Sequence, residues 1–175
     1  IDYARKVMEE FWDKESGLFF FTGSGQKDII LRKKDLYDSA MPSGNAAMLI
    51  NLQKLGFMSG DEIFAETASR MMRSMKDATE RYPGSFATWA KAMMYETMGW
   101  KEIAIVGPNA FAEAQKLNKL YLPARILMTS QKENNTYPLL AHRFSEGRDL
   151  FFLCENFSCR RPVTNLDSFL RMLQA

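Results

Sequence analysis

Between residues 61 and 82 the apolar side chains Ile63, Phe64, Ala68, Met71, Met72 and Met75 recur at steps of three and four. A strand, with its period of two, cannot collect such a set on one face, whereas an α-helix does so automatically. The same spacing at Ala4, Val7, Met8, Phe11 and Trp12 predicts an amphipathic helix that stops before the turn at Asp13 to Gly17. Ser43 is placed to cap a helix over 44–55, where Ala47, Met48, Ile50, Leu52 and Leu55 leave little polar surface, with Gly56 and Gly60 beyond it as punctuation. Pro83 and Gly84 end the 61–82 helix, and Phe86, Trp89, Ala90, Met93 and Met94 mark another over 85–98, closed by Gly99. Long helices joined by short turns must pack antiparallel, so the region reads as helical hairpins. The clustered methionines read as adaptable core filling rather than as a binding groove.

Two stretches depart from the helical period. The apolar runs 18–21 and 29–31, separated by Gly23 and Gly25, predict a small hairpin. After Trp100 the pattern becomes a strand over 103–106 ended by Gly107 and Pro108, a helix over 109–120, strands over 125–128 and 150–154, and a closing helix over 166–173. Strand, helix and strand in that order make a parallel βαβ unit. The expected fold is mainly α, with residues 1–100 forming helical hairpins and residues 101–175 a small α/β appendage packed on them as one compact unit.

With 175 residues the chain can bury a core without disulfides or metals. Its 23 Lys and Arg offset 21 Asp and Glu, leaving a net charge of +2. Such a chain has no global field to draw it onto nucleic acid or an anionic membrane. The apolar runs fall short of the roughly 20 residues that span a bilayer. Two cysteines are too few for a secreted disulfide scaffold and suit a reducing, cytoplasmic setting. Without a starting Met or a signal segment, Ile1 reads as a boundary inside a longer chain.

The densest polar cluster, Arg32, Lys33, Lys34, Asp35, Tyr37, Asp38, Pro42, Ser43, Gly44 and Asn45, precedes and opens the 44–55 helix. Free N–H groups at a helix start suit a carboxylate, a phosphate or a sugar hydroxyl beside Ser43 and Asn45. Asp35 and Asp38 then supply carboxylates for acid or base work, with Arg32, Lys34 and Tyr37 holding the substrate. The alternative is purely structural: Ser43 caps the helix while Asp38 and Arg32 pair across the loop. Cys154 and Cys159 stand as redox or structural thiols. Zinc is disfavoured, since a structural site needs four ligands and His142 adds one imidazole. The run 103–108 resembles a strand entering a nucleotide-binding turn but lacks the repeated glycines, so neither cofactor nor metal is required.

Two motifs carry a family resemblance. The stretch Arg32-Lys33-Lys34-Asp35-Leu36-Tyr37-Asp38-Ser39-Ala40-Met41-Pro42-Ser43-Gly44-Asn45 resembles the signature of the thioredoxin-domain-containing proteins related to spermatogenesis-associated protein 20. The stretch Cys154-Glu155-Asn156-Phe157-Ser158-Cys159-Arg160-Arg161-Pro162-Val163-Thr164 resembles that family's C-terminal cysteine motif, and 11–21, 82–90 and 103–107 fall in the expected order. The resemblance implies a protein several times longer, with an upstream thioredoxin-like domain followed by an α/α toroid similar to N-acylglucosamine 2-epimerases and six-hairpin glycosidases. This chain would be the last portion of that toroid, with residues 32–45 facing its cavity. The family's thioredoxin cysteines and the epimerase histidine pair have no counterpart here. One expectation is a carbohydrate-active or sugar-binding domain, with Trp89 or Trp100 stacking on a sugar-like ligand. Another is a non-catalytic module that positions the thioredoxin-like domain on client proteins. The third is a structural part whose loop braces helices. Helices missing their neighbours would also favour a homo-oligomer.

Overall fold

The computed structural model describes residues 1–156 and 158–174, so Phe157 of the cysteine motif lies outside the described residues. Among them are six helices, a two-stranded hairpin and a small mixed sheet. The chain divides into two compact units, one comprising Ile1–Gly56 and Asp61–Met94, the other Phe57–Gly60 and Tyr95–Ala175.

The first unit contains α1 (Asp2–Phe11), β1 (Trp12–Asp13), β2 (Leu18–Phe19), the body of α2 (Gly44–Ser59), α3 (Glu62–Arg81) and most of α4 (Ala87–Met98). Four of the six stripe residues read from the sequence are buried: Phe64, Ala68, Met71 and Met75 of α3 share a core with Ala46, Leu49 and Leu52 of α2 and Trp89 and Ala92 of α4, whereas Met72 is half-buried and Ile63 is exposed. Each fully buried Leu or Phe in this cluster contributes roughly 1.5–3 kcal/mol relative to exposure. Asp61 caps α3 by accepting from the Ile63 amide at 3.1 Å. Met71 and Met75 fill the core as expected, whereas Met94 is exposed.

The hairpin differs from expectation. Trp12 pairs with Phe19 and Asp13 with Leu18, while Ile29 to Leu31 form no strand, and the side chains of Ile30 and Leu31 face solvent. The reason is the turn between Asp13 and Leu18. The Asp13 side chain accepts from the Glu15 amide and the Ser16 hydroxyl, and Gly17 takes φ +69° to return its amide to the Asp13 carbonyl. A short turn closed by its own aspartate outcompetes a longer glycine loop.

In the second unit the sheet order is β4-β3-β5-β6, with β3 (Lys101–Val106), β4 (Arg125–Ser130), β5 (Leu150–Glu155) and β6 (Ser158–Cys159). β3 and β4 are parallel and joined through α5 (Ala110–Asn118), as the βαβ pattern predicts, while β5 is antiparallel to β3 and β6 to β5. Ile103, Ile105, Phe151 and Leu153 pack against Ala110, Ala114 and Leu117 of α5 and Phe169 of α6 (Leu166–Gln174). Glu102, Ala104, Phe152 and Cys154 alternate with those core residues and therefore face the other way. Among the described residues no helix is long and apolar enough to cross a membrane.

Candidate functional site

Residues 32–43 run without regular structure into α2. Ser43 caps that helix: its hydroxyl accepts from the Ala46 amide at 3.2 Å and its carbonyl from the Ala47 amide at 3.0 Å. Asp38 accepts from the Ser43 amide at 2.9 Å through one carboxylate oxygen and from the Thr88 amide at 2.6 Å through the other. It thus caps the first turn of α4 and holds the entry to α2 at the same time.

The expected Asp38–Arg32 pair is not formed, because each side chain is taken by backbone elsewhere. Arg32 donates to the Thr22 carbonyl at 2.7 and 3.1 Å and to the Glu10 carbonyl at 3.2 Å, with its guanidinium 4.0 Å from the centre of the Phe20 ring. Lys34 lies 4.2 Å from the same ring and pairs with Asp13 at 2.9 Å. Lys34 foremost, then the Ser16 hydroxyl and the Glu15 amide, hold the Asp13 carboxyl far below the usual carboxylate range.

Asn45 is buried and bonded inward. Its amide donates to the carbonyls of Phe19 and Asp35, both at 2.9 Å, and its oxygen accepts from the Phe19 amide at 2.7 Å. This clamp ties the hairpin and the polar loop to the first turn of α2. Tyr37 is exposed and stacks on Phe86 at 4.9 Å. Trp89 and Trp100 are buried at 0% and 3% exposure, and the Trp89 indole donates to the Leu36 carbonyl at 2.9 Å, so neither ring is open to a sugar.

Asp35 differs from its neighbours. It is exposed, its carboxylate meets the Gly44 amide only at 3.4 Å, and it borders an open cleft of about 290 Å³. Phe11, Phe19, Phe20 and Phe21 line this cleft, together with Gly44, Ala47, Met48 and Asn51 of α2. Those four positions of α2 share one helix face, at steps of three and four. Asn51, Phe11 and Phe21 line the cleft without being among the site residues expected from the sequence. The available signal was a polar side chain at 51 on the face that also carries Ala47 and Met48.

The second unit holds the other expected groups. Cys154 and Cys159 are disulfide-bonded directly across the β5–β6 ladder. Arg143 donates to the Cys154 sulfur at 3.2 Å and stacks over Phe152 at 4.9 Å; burial pushes its guanidinium pKa down and the charge of Glu102 opposes that shift. His142 sits in an exposed loop, its amide donating to the Asn135 side chain. The turn after β3 is filled by protein: Asp149 accepts from the Asn109 amide at 2.8 Å and side chain at 3.0 Å, at the start of α5 where a phosphate would have to bind. Among the described residues no group of three or more His, Cys, Asp or Glu side chains is arranged to hold a metal ion.

No family model matches this chain. It is similar to spermatogenesis-associated protein 20 of Rattus norvegicus, with 26% identity over 166 residues, and to the protein of the same name of Mus musculus, with 25% identity. The alignments cover 89% of this chain but 21% of each relative, so the chain spans about a fifth of the length of the curated relatives it matches. Across most of its length, then, the chain is similar to one segment of spermatogenesis-associated protein 20.

Proposed function

We propose that the cleft at the start of α2 binds a sugar-like small molecule, within an α/α toroid of a longer thioredoxin-domain-containing protein. The observation that carries this reading is the pairing, in one open cleft, of phenylalanine rings, Phe21 exposed and Phe11 half-buried, with the exposed Asp35 carboxylate and the exposed Asn51 amide. A pyranose-like ligand has apolar ring faces for the first and hydroxyls for the second. Arg32, Lys34, Asp38 and Ser43 support the cleft walls through their backbone and ion-pair contacts, while Asn45 lines the cleft with its amide bonded to the carbonyls of Phe19 and Asp35.

Hydrolysis of a glycosidic bond uses two carboxylates, commonly about 5–10 Å apart. Asp35 is the single carboxylate lining the cleft among the described residues, so this chain supplies binding and at most one acid–base group. Titration of the chain with a panel of neutral mono- and disaccharides, followed by thermal shift, tests the reading. A saturable shift weakened tenfold or more by Asp35→Ala and by Asn51→Ala is expected. No response from the parent chain at tens of millimolar, or equal responses from parent and variants, excludes it.

The exposed Phe21, Ile30, Leu31 and Met41 favour a second reading, in which this segment is a non-catalytic module presenting the upstream thioredoxin-like domain to client proteins. Replacing Ile30 and Leu31 by Ser would then abolish client capture and leave sugar responses untouched.

A further inference from the structure

The cysteine pair of the second unit carries an inference of its own. Glu102 of β3, Cys154 of β5 and Cys159 of β6 lie level in one transverse row of the sheet, since Glu102 registers with Cys154 and Cys154 with Cys159. Side chains directly opposite across antiparallel strands point to the same face. The two sulfurs differ in access, for Cys154 is 1% exposed whereas Cys159 is exposed on the edge strand β6. A depression of about 330 Å³, lined by Cys154, Glu155, Ser158, Cys159 and Arg160, opens onto the bond. The Arg143 guanidinium touches the Cys154 sulfur at 3.2 Å and is braced by the Phe152 ring and by the charge of buried Glu102.

We propose that Cys154 and Cys159 form a thiol–disulfide exchange site that oxidises a protein dithiol, with Cys159 as the attacked sulfur and Cys154 as the leaving group. A thiolate of the incoming dithiol attacks the Cys159 sulfur from the depression, forming a mixed disulfide and breaking the Cys154–Cys159 bond. The bonding pair leaves on Cys154 as a thiolate, and the Arg143 guanidinium lies where that negative charge appears. Exchange is faster when the leaving thiolate is better stabilised. The second thiol of the substrate, as thiolate, then attacks its own sulfur in the mixed disulfide and expels Cys159. Two electrons and two protons pass from the substrate dithiol to the pair, which ends as two thiols while the substrate ends as a disulfide. The opposite polarity, with attack on Cys154, is blocked by burial of that sulfur.

Limiting glutathione with the oxidised chain, acid quenching, alkylation of free thiols by N-ethylmaleimide and peptide mapping read the polarity directly. The expected product carries glutathione on Cys159 and N-ethylmaleimide on Cys154. Glutathione on Cys154, or no reaction in the folded chain, overturns the proposal. Reduction by excess dithiothreitol reads the role of Arg143: Arg143→Gln slows it about tenfold while Arg143→Lys recovers most of the rate, and an unchanged rate in Arg143→Gln also overturns the proposal. Should Arg143→Gln not fold, the mapping on the parent chain and the rate of Arg143→Lys, expected within threefold of the parent, still decide it.

Discussion

The carboxylate of Asp38 accepts the backbone amide of Thr88 at 2.6 Å, across a separation of 50 residues, while its other oxygen holds the amide of Ser43. One side chain therefore satisfies the starts of two helices whose apolar stripes meet in the same core. Substituting a capping aspartate typically costs about 0.5–2 kcal/mol, and an amide left without a partner adds to that. Asp38→Ala is expected to lower stability by about 2–4 kcal/mol in urea denaturation. A loss below about 0.5 kcal/mol, the scatter of ordinary surface changes, would show that water replaces both contacts.

Asp35 is expected to behave in the opposite way. Its carboxylate is exposed and holds one long contact to Gly44. Asp35→Ala should therefore shift stability by no more than about 0.5 kcal/mol, as is usual for exposed positions. Equal destabilisation by Asp35→Ala and Asp38→Ala would contradict the division of labour between the two carboxylates.

Asn45 is buried with three bonds to main-chain atoms of Phe19 and Asp35. Asn45→Ala removes both partners of the Phe19 peptide groups at once and is expected to cost about 2–4 kcal/mol, with Asn45→Asp comparably harmful because it loses the donors. Calorimetric unfolding of the two variants checks this, and a mild effect of Asn45→Asp would mean that accepting from Phe19 alone holds the hairpin.

Asp13 makes the acid limb of the stability curve sensitive to one ion pair. Its folded pKa lies below its ordinary value of 3.8 because Lys34, Ser16 and Glu15 favour the charged carboxylate. A depressed folded value means that the unfolded chain binds the proton first, so the contribution is complete above 3.8 and is lost as pH falls through the folded value. Asp13→Asn is expected to be less stable than the parent at neutral pH, with the gap shrinking below about pH 3.5 as the parent loses its advantage. A gap that stays constant between neutral and strongly acid pH would remove the ion pair as its cause.

Gly107 leaves β3 at φ +134°, where a Cβ would run into the backbone carbonyl of Arg148 and lie 2.6 Å from the Asp149 carboxylate. Backbone on one side and left-handed torsion on the other leave no cheap adjustment. Gly107→Ala is expected to destabilise by about 3 kcal/mol or more. Chemical denaturation is the check, and a loss under about 1 kcal/mol would mean that the turn has a second conformation open to it.

Much of this protein was legible in its sequence because periodicity is a local property. The steps through Phe64, Ala68, Met71 and Met75 determined both the helix and its buried face, Ser43 announced the cap of α2, and the β-branched run ending at Gly107 and Pro108 announced the βαβ unit. Tertiary structure alone decided the partners. The pattern in 32–45 showed carboxylates and cations close together, yet Arg32 went to carbonyls of Thr22 and Glu10, Lys34 to Asp13, and Asp38 to an amide 50 residues away. Which charge is buried against backbone and which is left facing a cleft depends on where distant peptide groups fall. No local spacing encodes that, because each polar side chain takes the nearest unsatisfied donor or acceptor in space, not in sequence. Cys154 and Cys159 make the same point: their separation permitted a bond, and the register of β5 against β6 formed it.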